Sequence, residues 1–506
     1  MKVNMAAGKR KPSRHTEIER KFAVVDSTVS PSFDGLSAVG RVEQLPVAHL
    51  DAVYFDTPDH DLAAHKITLR RRTGGTDAGW HLKLPAGADA RTEVRLPITA
   101  ARESVPDELR DIVLAIVRDR ALQPVARIET QRTVSMLHAP DDTELAEFCD
   151  DRVTATAGES LQNWREWELE LVGDGSEGAE SGPELLDRLA NRLFDAGAKP
   201  AGHGSKLAKV LAAARGADAP QQQAPEPTDK VHRAIAAHVS ELIDWDRAVR
   251  ADTFDSVHQM RVTIRKIRSL LQETGNLGDR EWVLEELKLL AAVLGTARDA
   301  EVLAQRYDDA LKGLAPELVR GQVRERLVDG SQRRYQSGLR RSLAAMRSER
   351  YFRLLDALDA IVVDNTQPAT ADEDNQPVTV GGAYRRIRKS VRRAEAAEAA
   401  GAEDSEEALH RIRKGAKRLR YTAAAMGESK VADCAKDIQT LLGDHQDSYV
   451  SRGHLVQQAE AAHAAGEDTF TYGILYQQEA EVAEYARLQL DASLKALARA
   501  MRKVKK

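Results

Sequence analysis

Cysteine is nearly missing from this chain. Cys149 and Cys434 are the two present, far apart and with no CxxC pair. That argues against a disulfide framework or a zinc site, and it fits a reducing compartment. An excess of charge of one sign is also missing: 74 Lys and Arg against 79 Asp and Glu leave a net charge of −5. Binding of a polyanion must then come from local clustering of cations, not from overall charge. No apolar run is long enough to span a bilayer, and the basic stretch from Met1 to His15 lacks the apolar core of a secretory signal. A soluble cytoplasmic protein with no membrane partner is the expectation. Aromatics amount to 5%. Neither of two basic stripes described below contains one, so the stacking surface that single-stranded nucleic acids use is absent there. Charge is abundant, at 30% of residues, beside 42% hydrophobic residues over 506 positions. The chain is too long for one core and apolar enough to fold as two or three domains.

The stretch Thr16-Glu17-Ile18-Glu19-Arg20-Lys21-Phe22 alternates with period two. Read as a strand, it puts Glu17, Glu19 and Lys21 on one face and Ile18, Arg20 and Phe22 on the other. Two carboxylates so placed form an oxygen site for a hard cation, and the lysine beside them suits a phosphate oxygen. A solvated strand edge of mixed charge is the ordinary alternative.

More strands follow. Ala52 to Pro58, Lys66 to Arg72, Trp80 to Pro85 and Arg91 to Leu96 read as strands, then Pro106 to Arg120 as a helix with Val113, Ile116 and Val117 inward. Strands resume around Ile128–Leu137 and Leu145–Thr154. In Trp164 to Leu171, Glu166, Glu168 and Glu170 share one face and Trp167, Leu169 and Leu171 the other. Some charged faces are basic (Arg70 and Arg72, Arg91 and Arg95, Lys83) and some acidic. If the sheet closes into a barrel, one set of faces lines the lumen. A lumen carrying both carboxylates and cations is a wet tunnel suited to an anion plus a metal.

Glu17-Ile18-Glu19-Arg20-Lys21 resembles the ExExK signature of the CYTH domain, the triphosphate tunnel metalloenzyme family. Tyr54-Phe55-Asp56-Thr57, Leu69 to Arg72, Leu82-Lys83, Glu168-Leu169-Glu170 and Ser205-Lys206 follow in that family's order. The resemblance implies an antiparallel barrel that holds a triphosphate with Mg²⁺ or Mn²⁺. It implies Glu17, Glu19 and Lys21 as the catalytic centre and Glu17, Glu19, Glu168 and Glu170 as metal ligands. Asp151 is a further ligand candidate with which Asp150 competes. Lys21, Arg70, Arg72, Lys83, Arg95, Arg132 and Lys206 are the implied phosphate contacts, with Lys199 a looser match.

The loop 173–183 leads into an amphipathic helix from Pro183 to Ala196, and the Gln- and Pro-rich stretch Gly216 to Asp229 reads as a linker. Strand patterns then give way to helical periodicity and an internal repeat. Val257-His258-Gln259-Met260-Arg261…Arg265-Lys266-Ile267-Arg268 matches Leu409-His410-Arg411-Ile412-Arg413…Lys417-Arg418-Leu419-Arg420. Ile235 and Val239 match Ile387 and Val391, Gly275 matches Gly427, and Leu294-Gly295-Thr296-Ala297-Arg298-Asp299 answers Leu442-Gly443-Asp444-His445-Gln446-Asp447. At about 100° per residue, Arg261, Arg265 and Arg268 fall in one stripe with His258, beside the buried stripe of Met260, Ile264, Ile267 and Leu271. His410, Arg413, Lys417 and Arg420 repeat it. Such stripes line a groove between helices, where two of them can face each other.

This half resembles the CHAD domain, the conserved histidine α-helical domain. That implies binding of inorganic polyphosphate through His258, Arg261, Arg265, Arg268, His410, Arg413, Lys417 and Arg420. The expected organisation is α+β: a disordered basic N-terminus over 1–14, a barrel domain over 15–215, a linker over 216–229 and a helical domain over 230–506 with copies over about 230–363 and 381–506. The expected function is metal-dependent hydrolysis of triphosphate, most simply inorganic triphosphate, with polyphosphate held by the helical half and the protein associated with polyphosphate granules. The alternatives are a CYTH-type adenylate cyclase and a non-catalytic polyphosphate adaptor. Nucleic acid is not an expected partner, and the oligomeric state stays open.

Overall fold

The computed structural model describes residues 13–87, 89–98, 104–173, 182–214, 230–273, 280–364, 379–399 and 405–504. The chain divides into two compact units, residues 1–221 and 222–506. The linker stretch 216–229, Gly275 and most of the segment between the two helical copies lie outside the described residues.

The first unit is built on ten strands: β1 (Ser13–Val24), β2 (Arg41–Gln44), β3 (Ala48–Asp56), β4 (Thr68–Thr73), β5 (Gly79–Pro85), β6 (Ala90–Leu96), β7 (Gln123–His138), β8 (Glu144–Ala157), β9 (Ser160–Leu171) and β10 (Lys199–Pro200). Eight of them close a ring in the order β1-β6-β5-β4-β3-β7-β8-β9, with β9 returning to β1, and every pairing is antiparallel. Closure falls on β1. Its first half, Ser13 to Ile18, pairs with β6, and its second half, Glu19 to Val24, pairs with β9. Ser13 and Arg14, expected in the disordered N-terminus, are instead in β1 and pair with Arg95 and Val94; residues 1–12 lie outside the described residues. β2 and β10 attach to β7 and β1.

The alternation sorts the side chains. Phe22, Leu137, Phe148, Trp167, Leu169 and Leu171 share an apolar cluster with Leu186, Leu189 and Leu193 of a helix, Gly182–Asp195. The apolar faces of these strands thus pack under a helix, and their polar partners line the lumen. A further helix, Lys206–Ala214, packs Leu207, Val210 and Leu211 against Ala52, Ile128, Val153 and Ala155. The helix expected over Pro106 to Arg120 is two short ones, Asp107–Ile112 and Leu114–Val117, broken at Val113. Val113, Ile116 and Val117 are buried as expected.

The second unit is all helical. Its first copy runs through Lys230–Arg250, Ser256–Glu273 and Arg280–Lys312, then Gly330–Ala345 and Glu349–Asp364. The second runs through Val380–Ala399, Ser405–Ala425, Ser429–Ala464 and Phe470–Met501. Met260, Ile264, Ile267 and Leu271 are fully buried, as are Ile412, Ala416 and Leu419. The two helices that carry the stripes, Ser256–Glu273 and Ser405–Ala425, pack against each other.

Candidate functional site

The lumen of the barrel is a cavity of about 1320 Å³. Two sets of like charges meet in it. Glu17 and Glu19 come from β1 and Glu170 from β9, where Glu170 is the cross-strand partner of Glu19. One ligand oxygen from each lies within 4.8 Å of the others. Lys21 sits 2.7 Å from Glu19, and Lys83 contacts Glu17 and lies 3.8 Å from Glu19. These ammonium groups hold the Glu19 carboxyl down at about 2 in spite of burial. Glu170 has no ion pair among the described residues. Burial pushes its carboxyl up to about 7, with Glu17, Glu19 and Glu168 adding to the push and Lys83 opposing it. Three crowded carboxylates with no nitrogen or sulfur donor fit a hard divalent cation.

The opposite set is cationic. Arg70 donates to the Tyr54 hydroxyl at 3.2 Å, and among the described residues no carboxylate forms an ion pair with it. Arg72 pairs with Asp77 of the β4–β5 hairpin. Burial, together with Arg70 and Arg132, pushes the Arg72 guanidinium down to about 9. Three guanidiniums thus converge where an anion would relieve them.

The expected metal set divides. Asp151 and Glu168 do not join Glu17, Glu19 and Glu170. They form a second group with Glu166, and the Lys206 ammonium stands 2.9 Å from Asp151, 2.7 Å from Glu166 and 2.8 Å from Glu168. Arg132 adds two bonds to Asp151, at 2.8 and 2.6 Å, and contacts Glu168. Lys206 and Arg132 stand against this second carboxylate group as Lys21 and Lys83 stand against the first. Lys206 and Arg132, expected to face phosphate, are held by carboxylates. Asp150 is ruled out by register: it points the other way and takes two bonds from Arg165, at 2.8 and 2.6 Å. Lys199 is exposed in β10. Arg95 is at the rim, 3.2 Å from Glu17 and in contact with Glu93.

Glu93 was missed, although it lies between Arg91 and Arg95 on the same alternating face. It is fully buried, accepts from His81 at 2.9 Å and faces His15 at 3.2 Å. Glu166 was placed on the acidic face of β9 by the same alternation but not recognised as the third carboxylate around Lys206.

In the helical unit the two stripes do approach one another. Arg265 and Arg261 of one helix act on Lys417 of the other, and Arg265 acts on Arg413. Their counter-charges come from the neighbouring helices. Arg261 lies 3.3 Å from Asp299, and Asp447 and Asp444 face Arg413. The duplicated Leu-Gly motif now has a physical reason. A Cβ at Gly295 would stand 3.3 Å from the Arg261 guanidinium, and one at Gly443 would stand 3.1 Å from that of Arg413. Glycine lets each arginine lie on the adjacent helix. Burial and the arginines Arg298, Arg265 and Arg261 push His258 down to about 4, and His410 is lowered by burial and by Lys414, Arg413 and Lys417. Both shifts favour the neutral imidazole. Arg268 faces Glu285 and Arg418, and Arg420 donates to Gln439 at 3.3 Å, so these two stand apart from the close contact of the stripes.

The chain is similar to known proteins in both halves. A CYTH domain matches over residues 15–194 and a CHAD domain over 233–456. An uncharacterized protein of Mycobacterium tuberculosis, in strains H37Rv and CDC 1551, is 61% identical over 512 residues, covering 98% of this chain and 99% of the relative. Among solved structures, PptA from Streptomyces chartreusis is 17% identical with a TM-score of 0.43, over 53% of this chain and 99% of its own. The CHAD domain from the plant Ricinus communis is 19% identical with a TM-score of 0.37, over 55% and 91%. The chain belongs to the family of its mycobacterial relative, and it carries a CYTH domain followed by a CHAD domain.

Proposed function

We propose that this protein hydrolyses inorganic triphosphate in the barrel lumen with the help of Mg²⁺ or Mn²⁺, and that its helical unit binds inorganic polyphosphate. One observation carries the first part. Glu17, Glu19 and Glu170 each bring a ligand oxygen within 4.8 Å of the others in a lumen that also holds Arg70 and Arg72, and burial, with this crowding of like charges, pushes the Glu170 carboxyl up and the Arg72 guanidinium down. A metal-bound polyphosphate anion relieves both at once.

In this reading Glu17, Glu19 and Glu170 hold the metal. When bound, it withdraws charge from the phosphate oxygens that it touches. Lys21 and Lys83, released from their carboxylate partners, and Arg70 and Arg72 contact the remaining phosphate oxygens. Their fixed positive charge stabilises the negative charge that moves onto the departing diphosphate as the phosphoanhydride bond breaks. A lumen carboxylate orients the attacking water. Arg132 and Lys206 act one step removed, by fixing Glu168 and Asp151 in the wall.

The test is phosphate release by the full chain from inorganic triphosphate, long polyphosphate, ATP and thiamine triphosphate, with Mg²⁺ or Mn²⁺. Triphosphate should be the best substrate. Glu19→Gln should lose several powers of ten in rate with its circular dichroism unchanged. A folded, metal-loaded protein inert on all four compounds ends the proposal, and formation of cyclic AMP from ATP would transfer it to the cyclase reading.

A further inference from the structure

We propose that His81 is a positioning residue of the lumen: one ring nitrogen seats Arg72 toward phosphate and the other seats Glu17 toward the metal. The inference rests on the triphosphate reading of the lumen and names a residue that acts on both halves of that site.

His81 lies on β5 and is 1% exposed. Its cross-strand partners are Arg70 on β4 and Arg95 on β6. Both ring nitrogens are engaged. Nδ1 stands 2.9 Å from Glu93 Oε1, and Nε2 stands 2.9 Å from the backbone carbonyl of Asp77. Both partners accept, so each contact uses an N–H. Burial opposes the ring that carries two protons, as do Arg70 and Arg72, and Glu93 favours it.

Each contact leads to a different part of the site. On the Nε2 side, Asp77 belongs to the β4–β5 connection, where Gly74 and Gly75 have φ of 79° and 72°. Two adjacent glycines make such a turn costly to order. The Asp77 carboxylate pairs with Arg72, so a bond that fixes the Asp77 backbone also fixes the direction of the guanidinium. On the Nδ1 side, Glu93 is fully buried. Its other oxygen faces His15 at 3.2 Å and contacts Arg95. His15 and Arg95 in turn reach Glu17 Oε1, at 3.1 and 3.2 Å. Without His81, Glu93 Oε1 loses its donor, and a buried carboxylate so stranded turns to a cation. Lys83, its cross-strand partner, already acts on it. That turn would draw Glu93 from His15 and Arg95, and Lys83 from Glu17.

The experiment removes one nitrogen at a time from the full chain. The amide nitrogen of Asn is as many bonds from Cβ as Nδ1, and that of Gln as many as Nε2. His81→Asn therefore keeps a donor for Glu93 and drops the one for Asp77. His81→Gln does the reverse, and His81→Phe fills the space of the ring and drops both. Mn²⁺ affinity is read by calorimetric titration, and KM and kcat for inorganic triphosphate are read at saturating Mn²⁺. His81→Asn should keep the Mn²⁺ affinity and raise KM about tenfold with kcat little changed. His81→Gln should weaken Mn²⁺ about tenfold and hold KM. His81→Phe should do both. If the Asn and Gln variants behave alike or exchange their effects, or if His81→Phe changes neither value, the inference is overturned and triphosphate hydrolysis stands. Equal losses that follow the melting temperatures would make His81 a residue of the fold alone. An unmodified chain that hydrolyses no triphosphate overturns the reading of the lumen, and the inference with it.

Discussion

Glu170 and Glu19 are cross-strand partners in one lumen, yet their surroundings push the two carboxyls in opposite directions. The difference lies in what each touches. Glu19 has the Lys21 ammonium at 2.7 Å, whereas Glu170 faces mainly other carboxylates and is pushed up from 4.5 to about 7 by burial and their repulsion. A raised carboxyl keeps its proton in the folded chain between about pH 4.5 and 7, where the unfolded chain has lost it. Folded stability from this group therefore declines as pH rises through that window. A divalent cation bound by Glu17, Glu19 and Glu170 has to displace that proton. Its affinity should rise about tenfold per pH unit toward 7 and level off above it. Glu170→Gln should flatten the profile and weaken binding at pH 8. Calorimetric titration with Mn²⁺ from pH 5.5 to 8.5 measures both. An affinity that does not change with pH in the unmodified protein would remove Glu170 from the metal set.

At the scale of single elements, period-two alternation was enough to sort the faces of β1 and β9. Phe22, Trp167 and Leu169 are buried in the outer cluster, while Glu17, Glu19, Glu168 and Glu170 line the cavity. What alternation along one strand leaves undecided is which strands become neighbours. Asp150 and Asp151 could not be told apart until register set Asp151 opposite Arg132 on one side and Glu166 on the other. The cage of three carboxylates around Lys206 joins β8, β9 and a helix 38 residues beyond Glu168, and no local pattern encodes it. β2 and β10, at four and two residues, are too short to show a period. In the helical unit the glycine of the Leu-Gly motif was visible as a repeat, but its role needed the neighbouring helix. Gly443→Ala tests that role with opposing signs. Alanine favours a helix interior by up to about 1 kcal/mol over glycine, so the melting temperature should hold or rise. The new Cβ would stand 3.1 Å from the Arg413 guanidinium and displace it, so polyphosphate affinity should fall several-fold. Thermal denaturation with a binding isotherm separates the two effects, and unchanged affinity would show that Arg413 needs no such seat.

For the whole molecule, the proposed function has the two units apply one electrostatic principle to phosphate chains of different length. The barrel encloses its cations and carboxylates in a cavity, which in the proposed reading takes a short anion with a metal beside it. The helical unit spreads its cations along two packed helices whose counter-charges, Asp299, Asp444 and Asp447, belong to neighbouring helices. A long anion has only to displace those acids and the condensed salt. Its binding should therefore weaken steeply with salt, each phosphate contact contributing roughly 0.7 to the slope of log affinity against log salt by analogy with single-stranded nucleic acid. Replacing Arg265 and Lys417 together by Glu removes two such contacts and installs two repulsive charges at the point where the stripes meet. The double variant should lose retention of polyphosphate at about 150 mM salt, while phosphate release from triphosphate in the barrel continues at the rate of the unmodified chain. Filter retention of labelled polyphosphate across a salt series, with the release assay on the same preparations, measures both. Retention that survives the reversal would place the polyphosphate elsewhere, and the exposed arginines of Val380–Ala399, Arg385 and Arg388 among them, would be the next to reverse. DNA or RNA held as tightly as polyphosphate at matched salt would replace the proposed ligand, since nothing in the stripes stacks on a base.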